Sequence, residues 1–338
     1  MLSRHTPSVL ALLLAVLTLT ACGAPTASAP TPRPTTAVRL QLAWVHEYSS
    51  ASFYAAEKNG RFRAQGLEAQ LLEGGFKDNR VIDGLDQVLA GEADFGVTSA
   101  SRLLQMRAAG KPVVAIAALF QRSPLAVLSV EAAGIQRPQD LVGKRVAVAE
   151  DGAKIAYLAL LAAQGLDPAS ITTVPREGFG IEPLTGGKVD ALVAWRINEG
   201  VMLSETGQTP SIMMFSDYGV ETYDLVLFTT EQEITQRPDV VQRVVVAVMQ
   251  GTQDVLDNPE QAVQYALTYN SKLDSAGQLR RLQASLPLIN PAGSSPGQMQ
   301  AEVWEATQKL LIDYKILQQP VDLKTAYTTR FLDAIPGR

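Results

Sequence analysis

Short apolar runs and helix-length amphipathic stretches alternate along the chain from residue 38 onward. Residues 38–42 (VRLQL) switch between apolar and polar side chains, the period of a half-buried strand. Residues 51–59 (ASFYAAEKN) then read as a helix, closed by Gly60 where a left-handed cap favours glycine. A second strand, 67–73 (LEAQLLE), stops at Gly74-Gly75, and a helix is predicted around 80–90. Strand 94–97 (DFGV), a helix over 100–109 ended by Gly110, and the apolar run 113–120 (VVAIAALF) complete a first series. An unbroken apolar run of that length reads as a strand buried on both faces. Strands alternating with helices predict an α/β fold with mainly parallel sheets.

A second series starts near residue 141. It reads as strand 145–150 (RVAVAE), a helix through 155–164, and strands 171–174 (ITTV), 191–195 (ALVAW) and 211–215 (SIMMF). Residues 223–228 (YDLVLF) form an apolar strand placed to return to the first series. From Pro238 the pattern turns helical, with Val240, Val241, Val244, Val245 and Val248 on one face. The expected organisation is two α/β lobes, residues 38–128 plus 222–338 and residues 129–221, with a helical C-terminal part. They are joined by crossings near 125–130 and 220–228. Ligands of open α/β sheets bind beyond the carboxyl ends of the strands, so a cleft between the lobes is the expected site.

Upstream, Arg4 precedes an apolar stretch over 9–19, and the segment closes on Leu19-Thr20-Ala21-Cys22-Gly23. This resembles a bacterial lipobox, so residues 1–21 are expected to be a lipoprotein signal and Cys22 the lipidated residue. Residues 22–37, rich in Ala, Pro and Thr, read as a flexible tether. Cys22 is the only cysteine, which leaves no internal disulfide. The chain carries 29 Lys and Arg against 34 Asp and Glu, a net charge of −5, with no basic run. That balance argues against nucleic acid as a partner. The expectation is a monomeric domain anchored by lipid to the cell membrane and facing away from the cytoplasm.

Aromatic residues are sparse, with three Trp, nine Tyr and nine Phe in 338 residues. Trp44, Tyr48, Phe53 and Tyr54 nevertheless gather with His46 in one short stretch after the first strand. A family resemblance begins at that stretch and continues downstream. The segments LQLAWVHEYSSASFYAAEKNGRFRAQGLEAQLLEGG, GEADFGV, AAGKPVVAIAALFQRSP, DLVGKRVAV, GGKVDALVAWRINEG and TYDLVLFTT are similar to solute-binding proteins of ABC importers in the thiamine-precursor-binding superfamily. The resemblance covers about residues 38–230 and implies a type 2 periplasmic-binding fold, with two α/β lobes around a ligand cleft.

The resemblance implies a flat heterocyclic ligand, riboflavin or the pyrimidine half of thiamine. Trp44 is the family's stacking residue in this segment, and an aromatic pair contributes about 0.5–1.5 kcal/mol beyond area burial. Tyr48 is expected on the same wall, with Phe53 and Tyr54 in the core. In the second lobe Trp195, Asn198 and Glu199 (AWRINEG) are candidates for the ligand's face and polar edge; the pyrimidine-binding branch gives a Glu at the place of Glu199 to an exocyclic amine. An exposed Asn-Glu pair opening a helix is the alternative. Further candidates are Ser99, either a ligand contact or an N-cap, Gln121 at the mouth of the first crossing, Glu150 and Tyr157 around the first helix of the second lobe, and Tyr223 at the second crossing.

After its Trp the pyrimidine-binding branch continues with a Pro-Asn pair and a His, where this chain has His46-Glu47 and Ser50. Gly74-Gly75 and FQRSP look more like the riboflavin-binding branch, so riboflavin is the expected transported ligand and the pyrimidine the alternative. An anionic ligand is disfavoured by Glu47, Glu150, Asp151 and Glu199 at the expected mouth. A synthase on the same fold is the alternative from another class, but its Cys-rich motif is missing here and His46 is the one histidine beyond the signal. No catalytic residue, metal or cofactor is expected. The implied partners are an ABC permease and its ATPase.

Overall fold

The computed structural model describes residues 35–337, except 78, 79, 150, 151, 177 and 179. The signal segment, Cys22, most of the expected tether and Glu150 lie outside the described residues. The architecture is α/β, with two five-stranded sheets flanked by helices. The strands in chain order are β1 Thr36–Gln41, β2 Leu67–Leu72, β3 Gly75–Lys77, β4 Arg80–Ile82, β5 Phe95–Thr98 and β6 Val113–Ala118. They continue with β7 Leu125–Val130, β8 Arg145–Val148, β9 Thr172–Pro175, β10 Ala191–Trp195, β11 Pro210–Met214 and β12 Val226–Thr230.

The first sheet has the order β2-β1-β5-β12-β6 and the second β11-β7-β10-β8-β9, while β3 and β4 form a small hairpin of their own. Every residue of β6 is buried, as its unbroken apolar run requires. Each sheet is mixed, with four strands running one way and one reversed: β12 runs antiparallel to both β5 and β6, and β7 antiparallel to both β10 and β11. The two reversed strands are the first that the chain builds after each passage between sheets. Each enters its new sheet from the side of the other lobe and so runs against its neighbours.

This shifts the first boundary. Residues 125–130 are not a crossing but strand β7, paired along its length with β11, so the passage lies over residues 119–124. Residues 125–128, assigned from sequence to the first lobe, belong to the second sheet. The return strand also begins later than the apolar pattern suggests, at Val226, because Tyr223 and Asp224 are held in the crossing. There Ser123 Oγ donates to the Asp224 carboxylate and Leu119 N donates to Leu225 O at 2.9 Å, tying the two passages together. The helix predicted around 80–90 is shorter, Gly84–Leu89. Asp83 stops β4 from merging with it by accepting from Leu85 N at 2.8 Å as an N-cap.

The valine face of helix Pro238–Asp257 is buried against helix Ala51–Lys58. Gly251 permits that approach, since a Cβ there would stand 2.2 Å from Ser52 O and 2.7 Å from Ala56 N. Phe53 and Tyr54 lie in this core. Tyr54 stacks on Tyr269 with ring centres 4.6 Å apart, and its hydroxyl shares a 3.0 Å hydrogen bond with His46 Nδ1.

Candidate ligand site

The first wall follows β1. Leu42 N still pairs with Leu72 O at 2.9 Å, and the next turn is pinned by Gly74 N donating to Trp44 O at 3.1 Å. Gly74 has to be glycine for this approach: a Cβ would come 2.5 Å from Leu42 O and 3.0 Å from Trp44 N. Glu73 accepts from His46 N at 3.0 Å, so the chain between the half-buried Trp44 and Tyr48 is anchored at both the indole-bearing and the histidine positions. Tyr48 opens a short 3₁₀ turn, Tyr48–Ser50, and its own backbone N–H donates to Gln278 Oε1 at 2.8 Å.

The second wall follows β10. Trp195 ends the strand, and Arg196–Gly200 makes a wide π-type turn, a distortion often found at functional sites. The turn projects Asn198 toward the first lobe, where Tyr48 Oη donates to Asn198 Oδ1 at 2.5 Å. Trp44 lies four residues before Tyr48 and Trp195 three before Asn198, so this bond brings the two tryptophan-bearing segments to one junction. Helix Ser275–Ile289 spans the same junction, with Gln278 on Tyr48 and Arg280 Nε donating to Glu205 of the second lobe at 2.8 Å.

Burial controls the charges here. Tyr48 is 1% exposed, and desolvation holds its hydroxyl neutral by raising its pKa well above the ordinary value. Glu47 is also pushed up by burial, against the Ser49 hydroxyl and the Arg281 charge, which pull it down. Glu199, expected to meet the polar edge of a ligand, is committed elsewhere. Its Oε1 accepts from Arg176 Nη2 at 2.5 Å, the two side chains being 5% and 6% exposed, and its Oε2 accepts from Trp195 N at 3.2 Å. Arg176 Nη1 also donates to Val193 O at 3.2 Å. The pair therefore staples the end of β10 to the turn that carries Asn198.

The other candidates among the described residues do not join this junction. Ser99 caps helix Ala100–Ala108 by accepting from Arg102 N at 3.2 Å. Gln121 spends its amide on Ile289 O and Ser295 O, at 3.1 and 2.8 Å. Tyr157 lies in the core of the second lobe, fully buried. Tyr223 packs on Trp304, with ring centres 5.9 Å apart, and its hydroxyl accepts from Gln300 N at 2.8 Å. Sequence reasoning misses Arg176 and Gln278, because Arg176 lies in a loop 23 residues before its partner and Gln278 lies 230 residues from Tyr48. The signal for Arg176 is chemical: a Glu buried in a turn needs a cation.

The family model described as NMT1/THI5 like matches residues 47–262, which contain Tyr48 and the second wall. The chain belongs to this family. A riboflavin-binding protein of Chloroflexus aurantiacus is 27% identical over 348 residues, 96% of each chain. A formylaminopyrimidine-binding protein of Halalkalibacterium halodurans is 28% identical over 331 residues, covering 95% of this chain and 98% of that one. Among solved structures, the periplasmic aliphatic sulphonate-binding protein SsuA of Escherichia coli aligns with a TM-score of 0.66 at 16% identity, covering 86% of this chain and 91% of that one. The family's fold is thus the periplasmic solute-binding architecture expected from sequence.

Proposed function

We propose that this chain is the extracytoplasmic solute-binding protein of an ABC importer and that its ligand is riboflavin. The ligand docks at the Trp44–Tyr48 wall, the second lobe closes with Trp195 and Asn198, and the closed form delivers to a permease driven by its ATPase. In this reading the protein is a monomer held at the membrane by lipid on Cys22. One observation favours a flavin over an aminopyrimidine. Glu199, the carboxylate that would accept an exocyclic amine, is neutralised by Arg176, which removes the charge an aminopyrimidine would use and costs a wide, uncharged ring system nothing. The riboflavin-binding relative, similar over 96% of each chain, supports the same choice.

The thiamine pyrimidine precursor is the second reading, supported by the formylaminopyrimidine-binding relative. An enzymatic role is disfavoured because His46, the one histidine beyond the signal, is engaged with Tyr54 and with the Tyr269 ring. Titrating the soluble domain into riboflavin tests the assignment through flavin fluorescence, which indole stacking quenches. Saturable quenching that Trp44→Ala abolishes is the expected result. Absence of quenching, with a rise in melting temperature on adding hydroxymethyl- or formylamino-pyrimidine, would transfer the protein to the second reading.

A further inference from the structure

A cavity of about 220 Å³ lies at the two passages between the lobes rather than at the tryptophan-bearing junction. Arg122 and Ser123 of the first passage, Thr222 and Tyr223 of the second, and Ser216 of the second lobe line it; a loop including Gln298 closes the remaining side. Neither Tyr48 nor Asn198 takes part. We propose that this cavity is a binding site for a small neutral polyol, distinct from the site of the transported ligand.

The chemistry of the lining argues for that class. Thr222 is 9% exposed, and its hydroxyl has no hydrogen-bond partner among the described residues, an arrangement proteins seldom leave standing in a polar cavity. Tyr223 Oη accepts from Gln300 N, which leaves its own proton to give, and burial pushes its pKa up to about 12 so that the proton stays. The guanidinium in the lining, Arg122, already donates to Ser216 Oγ and to Asp217 Oδ1, both at 2.8 Å. Glu221 at the rim is exposed. An anion would therefore meet an arginine whose charge is already answered by Asp217, with Glu221 close by, whereas a chain of hydroxyls both donates to and accepts from Thr222 and accepts from Tyr223.

Size points the same way. The space equals about seven water molecules, below the roughly 300 Å³ at which drug-sized ligand pockets begin. It suits a molecule of a few hydroxylated carbons and not a three-ring flavin. Because the lining comes from both passages and from both lobes, an occupant bears directly on the segments that must flex when the lobes move.

Ligand-observed NMR of the full chain with erythritol as probe tests the site, in the absence and presence of riboflavin. Saturable binding that survives riboflavin is expected, with about tenfold weaker binding in Thr222→Val from the lost hydrogen bond. Thr222→Ser, which keeps the hydroxyl, should bind as the parent does. Three results would overturn the proposal: no saturable binding, binding displaced by riboflavin, or binding indifferent to Thr222→Val while that variant retains its parent melting temperature.

Discussion

Tyr48 Oη and Asn198 Oδ1 form a 2.5 Å hydrogen bond across 150 residues of chain, from the turn after the first strand of one sheet to the turn after the central strand of the other. It is a direct lobe-to-lobe contact made by two of the residues proposed to flank the ligand. Helix Ser275–Ile289 reinforces it from the side, through Gln278 on the Tyr48 amide and Arg280 on Glu205.

Removing that hydroxyl should loosen the junction without harming the fold. Tyr48→Phe keeps the ring and loses one hydrogen bond, worth about 1 kcal/mol, or roughly fivefold in affinity. Calorimetric titration with riboflavin should show that weakening, and a double-mutant cycle with Asn198→Ala should return a coupling of similar size. Strictly additive effects would mean that the contact plays no part in closure.

The Arg176–Glu199 pair sets up a different test, of stability rather than affinity. Both side chains are nearly inaccessible, so deleting one charge strands the other. Glu199→Leu or Arg176→Met alone should cost about 3–5 kcal/mol in urea unfolding, while the double replacement should recover most of it. If each single variant unfolds at the parent's midpoint, the pair is solvated and its assignment as the staple of the Asn198 turn fails.

Gly251 should tolerate no side chain. Alanine places its Cβ 2.2 Å from Ser52 O, so the two packed helices must separate. Overpacking of this kind costs about 1–3 kcal/mol, against an ordinary gain for alanine over glycine inside an exposed helix. Denaturant midpoints of Gly251→Ala decide the sign.

Acid should weaken the fold through His46. Desolvation lowers the pKa of its imidazole, opposed by the Glu73 charge, so the unfolded chain takes up the proton first. Its contribution is complete above the unfolded value of about 6.5 and is lost as pH falls below that through the depressed folded value. His46→Asn should flatten the fall in melting temperature between about pH 7 and pH 5. An unchanged slope would place the acid sensitivity elsewhere.

Most elements are legible in the sequence because their signals are local. The period of residues 38–42, the apolar run of β6, the glycine stop after residue 59 and the valine face of helix Pro238–Asp257 each depend on neighbours within a few positions. Trp44 can be placed just after a strand end, and Trp195 at one, for the same reason. What the tertiary structure decided were the partnerships. A run such as LAVLSV carries no mark of its strand direction, so β7 reads as a linker until its pairing with β10 and β11 defines it. Glu199 looks available to a ligand because its carboxylate chemistry is local, whereas its neutralisation by Arg176 depends on how β9 and β10 set the loops after them. Side-chain character and period belong to the chain itself; which buried charge or hydroxyl is already satisfied depends on segments far apart in sequence that only topology brings together.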